Sequence, residues 1–241
     1  ITLYKADSDA IVIMAHGFVS DKTSSGRFDY IAQCLNLSKY NVFTFDFSGC
    51  GESDDDRITC AKQIDDLKAA IAFIHSLNYK RIALWGHSLG SRICLEACSP
   101  EITTMVLTGA LLGPMHYRWE EYFSEKQLDE LAQKSYITQP LERGSRRSII
   151  IDKQMLDDFA EFDQEVILSK IVCPILVING DNDDDSEELM LKEIATKLCA
   201  FCRQALAMKL FRVLDIIFCI IIDKVLDLGL SWLMEHMPAN E

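Results

Sequence analysis

The sequence predicts an α/β fold: one mostly parallel sheet with helices on both faces. Short, uniformly apolar runs recur along the 241-residue chain and alternate with stretches of helical spacing. Strands buried on both faces and joined by helical crossovers read in this way. One of those runs, residues 81–85, leads directly into a glycine-bracketed turn and a second helical stretch, which is a strand-turn-helix unit. The length, with 49% hydrophobic residues, suits one sizeable core.

The elements follow in order. Residues 10–15 and 41–47 are β-rich runs. Between them, 28–37 has helical spacing, with Phe28, Ile31, Ala32 and Leu35 on one face. The clearest helix is 58–77, where Ile64, Leu67, Ala70, Ile71 and Ile74 form an apolar stripe and Thr59 is placed to cap the N-terminus. Residues 81–85, 102–108 and 174–179 are further buried strands, and 226–235 is a last helix. From 113 to 170 the alternation stops, and the composition turns polar, aromatic and helical. The expected organisation is a single domain over 1–241, with a small helical cap inserted at about 114–170 and an anomalous segment at about 199–222.

Charge and cysteine content narrow the function classes. A formal net charge of −13 argues against nucleic acid or an anionic membrane as partner. Nine cysteines without a framework read as free thiols in a reducing compartment, which predicts a cytoplasmic protein. The start carries no signal-peptide pattern. The first residue is Ile1 and not Met, which leads to the expectation that residues before it have been lost or trimmed. The apolar run 216–222 is too short to span a bilayer.

The chemistry centres on Gly86-His87-Ser88-Leu89-Gly90. A serine between two glycines, on a sharp turn from strand to helix, has its hydroxyl presented at the sheet edge; this is a nucleophile elbow. The pattern is weak alone and strong between a strand and a helix. His16-Gly17-Phe18 ends the first strand, and Asp46-Phe47-Ser48-Gly49-Cys50-Gly51-Glu52-Ser53 ends the second.

Together these segments resemble the α/β-hydrolase superfamily, nearest to the small serine esterases that include bacterial cinnamoyl and feruloyl esterases and monoacylglycerol lipases. The resemblance covers about 11–198 and resumes near 223–234. It implies the α/β-hydrolase fold, an acyl-enzyme mechanism at Ser88, a small-molecule ester substrate and no cofactor. It places the oxyanion-hole amides at Phe18 and Leu89, where two preset N–H donors stabilise the charge that builds on the carbonyl oxygen. Residues 175–183 are similar to the family's strand-Gly-x-x-Asp ending, which puts the triad acid at Asp183. The plainer reading of 181–185 is a solvated acidic turn that caps the helix following it. Tyr117 and Trp119, clustered with Tyr122 and Phe123 in the cap, suggest an apolar or aryl acyl group; ordinary packing of cap on domain is the alternative.

The general base is missing. In the family it lies between the last strand and the last helix, and the corresponding interval 199–222 contains no histidine. Each of the five histidines has another place. His16 belongs to the oxyanion loop, His87 is the variable elbow position, His75 lies on a surface helix, and His236 is in the last helix. His116 can approach the pocket but has no family precedent. Cys199 and Cys202 have metal or redox spacing without a second ligand pair, so no metal is expected.

Three readings follow: a serine ester hydrolase altered near its C-terminus, a non-enzymatic relative that binds a small apolar ligand, and a hydrolase with His116 as base. The genetic code gives the first a specific form. Third codon bases from Arg212 to Ile217, each joined to the next two bases, permit GGT, GCT, GGA, CAT, CAT and TTT. That hidden frame spells Gly-Ala-Gly-His-His-Phe, which is similar to the family's histidine loop.

Overall fold

The computed structural model describes residues 1–142, 144–181, 206–212 and 218–239, with side chains left aside at 180–181, 206–212 and 218–221. Seven strands form the main sheet: β1 (Thr2–Tyr4), β2 (Ala10–Ala15), β3 (Asn41–Thr44), β5 (Arg81–His87), β6 (Ile102–Thr108), β9 (Ile175–Asp181) and β10 (Leu206–Arg212). Their order is β1-β3-β2-β5-β6-β9-β10. Only β1, at the edge, runs antiparallel; the other neighbours pair in parallel. A second sheet joins the short β4 (Arg57–Ile58) to a hairpin of β7 (Tyr136–Pro140) and β8 (Ser148–Asp152).

The period-2 alternation of strands divides the core between the two faces of the main sheet. Along β2 every residue is fully buried. Ala10, Val12 and Met14 meet α1 (Arg27–Leu37) and α7 (Phe218–His236), through Phe28, Ile31, Leu35, Trp232 and Leu233. Ile11, Ile13 and Ala15 meet the opposite cluster, with α2 (Cys60–Ser76) and α3 (Leu89–Glu96) supplying Leu67, Ile71, Ile74 and Ile93. The apolar face expected for 28–37 is the buried face of α1.

Element boundaries differ from expectation in instructive ways. Thr59 caps α2 by accepting the Lys62 N–H at 3.2 Å, but Ile58 lies outside the helix because it pairs with Ile151 of β8. Ile64 of the expected stripe is only half-buried, while the polar Gln63 is buried. Pro174 stands before β9, and its carbonyl accepts the Met105 N–H at 3.0 Å. The last helix starts earlier than 226, at Phe218. The segment 114–170 holds a 3-10 turn at Trp119–Glu121 and three helices, α4 (Glu125–Lys134), α5 (Lys153–Asp158) and α6 (Gln164–Ser169). It also contains the β7–β8 hairpin, which the helical reading of that segment did not anticipate. Within the anomalous segment, 206–212 is the strand β10, paired in parallel with β9. No helix among the described residues is long and apolar enough to cross a membrane.

Candidate active site

Parallel pairing brings the C-terminal ends of β2, β5, β6, β9 and β10 to one edge of the sheet. The described residues at or just after those ends are therefore neighbours, however far apart in sequence: His16, Ser88 and Gly109, with Asp181 and Arg212 ending the last two strands. Such an edge is where open α/β sheets place ligands.

Ser88 sits between β5 and α3 with φ 53° and ψ −122°. For a residue with a Cβ this is strained backbone, held only when the surroundings over-determine it. They do so here. The Ser88 N–H donates to Thr108 O at 2.9 Å. Its carbonyl accepts the Ser91 N–H at 2.9 Å and the Ser91 hydroxyl at 2.5 Å. Ser91 Oγ in turn accepts the Leu111 N–H at 2.9 Å, which clips the turn to the loop after β6.

The two glycines are needed for closeness. A Cβ on Gly86 would lie 2.7 Å from Gly90 O, and one on Gly90 would lie 2.1 Å from Ala15 O and 2.6 Å from His16 O. All three atoms are backbone, so a side chain at Gly86 would push α3 off the end of β5, and one at Gly90 would push β2 away from the elbow.

That closeness sets the loop after β2 against the serine. A Cβ on Gly17 would stand 3.2 Å from Ser88 Cβ and 3.7 Å from Ser88 Oγ. Leu89 is the first residue of α3, where a backbone N–H has no acceptor within the helix. Among the described residues the N–H of Phe18 has no acceptor either. Two unengaged amides thus belong to the residues that flank the Gly17–Ser88 contact.

His16 is fully buried with both ring nitrogens engaged: Nε2 accepts the Phe47 N–H at 3.2 Å, and Nδ1 lies 3.0 Å from Gly17 O. Those partners require Nδ1 to carry the proton, so the ring is neutral, and burial holds its pKa below the ordinary histidine value. The ring braces the loop that carries Phe18. His87 Nδ1 is 3.0 Å from Thr108 Oγ1, and burial, with help from Arg27, pushes its pKa down to about 4. His75 and His116 are exposed. His236 packs against Trp232 with the rings tilted by 49° and their centroids 3.8 Å apart, in the helix whose C-terminal end is fixed by Tyr40 Oη donating to Met237 O at 3.0 Å.

Beyond the His16-Gly17-Phe18 loop lies an aromatic cluster. Phe18 meets Phe159 edge-on at 5.3 Å between centroids, and Phe159 meets Tyr117 at 5.4 Å and Trp119 at 5.5 Å. Both Tyr117 and Trp119 are half-buried. The buried Arg92 of α3 donates to Asp158 O and packs against the Phe162 ring, tying the elbow helix to the same segment. Sequence reasoning passed over Phe159 and Arg92. Phe159 stands far in sequence from the Tyr117–Phe123 cluster it joins, and Arg92 reads as an ordinary helix-surface charge until its burial is seen. Asp183, Cys199 and Cys202 lie outside the described residues.

A mostly parallel sheet with a serine on a strained strand-helix turn, braced by a His-Gly loop, defines an α/β hydrolase. The family described as serine aminopeptidase, S33, matches residues 6–167, and the chain belongs to it. The match includes the His16 loop and the elbow and ends before β9. No curated protein matches. Among solved structures, the α/β hydrolase GrgF of Penicillium sp. sh18 is similar at 17% identity, with a TM-score of 0.74 over 98% of this chain and 93% of that one. The monoacylglycerol lipase of Paleococcus ferrophilus gives 16%, 0.68 and 98% of both chains. Est1E of Butyrivibrio proteoclasticus, solved with ferulic acid bound, gives 17%, 0.64, and 95% and 93%. At these identities the likeness is one of fold.

Proposed function

We propose that this chain is a serine carboxylic-ester hydrolase scaffold that acts on small esters through an acyl-enzyme, and that it works slowly because its general base is absent. Ser88 is the nucleophile in this reading. The amides of Phe18 and Leu89 stabilise the tetrahedral oxyanion, and Asp183 is the acid that would orient a base. Tyr117 and Trp119 line the acyl side of the pocket beneath a cap formed by 114–170. The observation that carries the reading is the Gly17–Ser88 approach, which brings a strained serine and two unengaged N–H donors to one place. The oxyanion donors are worth roughly 3–4 kcal/mol each in the transition state. Loss of the base in such a triad costs about a million-fold in kcat, which leaves roughly a thousandfold rate over water.

The five histidines support this reading of a crippled site. His16 has both ring nitrogens engaged, and among the described residues the exposed His116 makes no hydrogen bond that would steer it toward Ser88. The connection that would carry the base runs from Arg212, the end of β10, to Phe218, the start of α7. The hidden-frame histidines fall in that connection, so a pair of compensating frame shifts accounts for their absence.

A small fluorophosphonate tests the nucleophile. It should label Ser88 slowly, and Ser88→Ala should abolish the label. Labelling as fast as an intact esterase overturns the missing base. Tight binding of an apolar ligand without turnover of any short p-nitrophenyl ester would favour the second reading, a non-enzymatic relative that keeps the pocket.

A further inference from the structure

Two consecutive residues of the loop after β3 hold both ends of the segment that presents the Phe18 amide. At one end the Phe47 N–H donates to His16 Nε2 at 3.2 Å. At the other the Asp46 carboxylate accepts the Lys22 N–H on Oδ1 at 2.7 Å and the Lys22 ammonium on Oδ2 at 2.9 Å. Between these ties lie only the five residues 17–21. Among them Val19 has φ 51°, which for a β-branched residue is strained backbone that persists only when the surroundings impose it. The Phe18 ring is held separately by Phe159, and a ring contact does not by itself fix the direction of the amide.

The surroundings of Asp46 are arranged around its carboxylate. The side chain is only 2% exposed, and Oδ2 also accepts the Glu52 N–H at 3.1 Å. Gly51, at φ 49°, leaves it room, since a Cβ there would collide with both carboxylate oxygens. The Ser53 hydroxyl donates to Asp46 O at 2.7 Å and closes the turn. A carboxylate so buried needs a paired charge. Lys22 supplies it, while also reaching Glu52 Oε2 at 2.5 Å. Burial alone would raise the Asp46 pKa; the Lys22 ammonium, the Lys22 N–H and the Glu52 N–H outweigh it and hold the group below the ordinary carboxylate range.

We propose that Asp46, paired with Lys22, is a positioning residue for the oxyanion hole: by holding the far end of 17–21 it fixes the direction of the Phe18 N–H beside Ser88. The inference rests on the ester-hydrolase reading for the use of that amide, and goes beyond it in assigning what holds the amide in place. Preset donors are effective because no reorganisation is left for the transition state. With the Lys22 end released, Val19 relaxes out of positive φ and the peptide at Phe18 turns with it. The Gly17–Ser88 contact, next to the His16 tie, remains, and so does the Leu89 N–H at the start of α3. One of the two donors is lost, and the loss falls on the reacting step and not on binding.

The test follows reaction of Ser88 with a small fluorophosphonate in the full-length chain and separates kinact from KI, because charge builds on the phosphoryl oxygen only in the reacting complex. Asp46→Asn should lower kinact by about 10- to 100-fold with KI unchanged, the scale of a displaced donor. Lys22→Met should act in the same direction, and Lys22→Arg should keep most of the rate. Tyr40→Phe, which loses its bond to Met237 O at the opposite end of β3, controls for general destabilisation. Should Asp46→Asn fail to fold, the two Lys22 variants decide. A folded Asp46→Asn or Lys22→Met chain with the original kinact overturns the proposal, and so does an equal fall in Tyr40→Phe. Absence of Ser88 labelling in the unsubstituted chain overturns the ester-hydrolase reading instead, and the amide is then read directly. With nitrogen-15 phenylalanine incorporated, the Phe18 N–H signal, assigned by its loss in Phe18→Leu, should move in Asp46→Asn and Lys22→Met and stay in Tyr40→Phe. A Phe18 signal that does not move overturns the positioning role.

Discussion

His87 shows how one side chain carries both a sequence signal and a tertiary consequence. Its place between Gly86 and Ser88 marks it as an elbow residue, but the sequence says nothing of its charge. Burial beside Thr108, with Arg27 nearby, lowers its pKa from 6.5 to about 4. A histidine depressed in the folded state contributes stability that is present above its unfolded value and is lost as pH falls from there through the folded value. Stability should therefore decline from about pH 6.5 toward about pH 4, by about 3 kcal/mol for this group. His16, also held down by burial, adds in the same direction. Thermal melts across that range check this. His87→Gln should flatten the decline, and an unchanged slope would show that the ring is not buried as described.

At the scale of elements, α7 depends on one small residue for its seat. A Cβ on Gly229 would lie 2.2 Å from Trp85 Cη2 and 2.5 Å from Trp85 Cζ3. Trp85 is fully buried in β5, so its ring has little room to retreat. The close approach lets Trp232 Nε1 donate to Thr104 Oγ1 at 2.8 Å on the neighbouring strand. Gly229→Ala gains helix propensity but overpacks the interface, and should destabilise by about 1–3 kcal/mol. Urea unfolding measures it, and Trp85→Leu introduced into the Gly229→Ala chain should recover part of the loss. Additive effects of the two substitutions would exclude the steric explanation. The hydrophobic periodicity located α1, α2 and the buried strands well, because each packs on neighbours that follow from the parallel topology. The hairpin of β7 and β8 was not legible. Its pairing with Arg57 and Ile58 joins residues far apart in the chain, and no local spacing encodes it.

For the whole molecule, the central question is the link between β10 and α7. β10 pairs with β9 so that Arg212 lies opposite Asp181, and both strands end on the edge that holds Ser88. Restoring the hidden reading frame over 199–222 is expected to raise ester hydrolysis by several orders of magnitude, the scale on which a regained base acts. The measurement is kcat/KM on a short-chain ester for the repaired and present chains, with Ser88→Ala of each as control. A repaired protein that folds and stays inactive on esters would leave the non-enzymatic reading in its place. By itself the sequence determined the layered α/β plan, the glycine-bracketed turn at Ser88, the His16-Gly17-Phe18 segment after the first buried strand, and an interval 199–222 without histidine. These rest on local patterns: apolar runs, helical stripes, and glycines bracketing a serine. Only the tertiary structure decided that Gly17 touches Ser88, that His16 has no nitrogen to spare, and that Phe159 joins Phe18 to Tyr117 and Trp119. Each of these contacts joins residues brought together by parallel strand pairing or by loops converging at one sheet edge, and such proximity is not written in the spacing of any single segment.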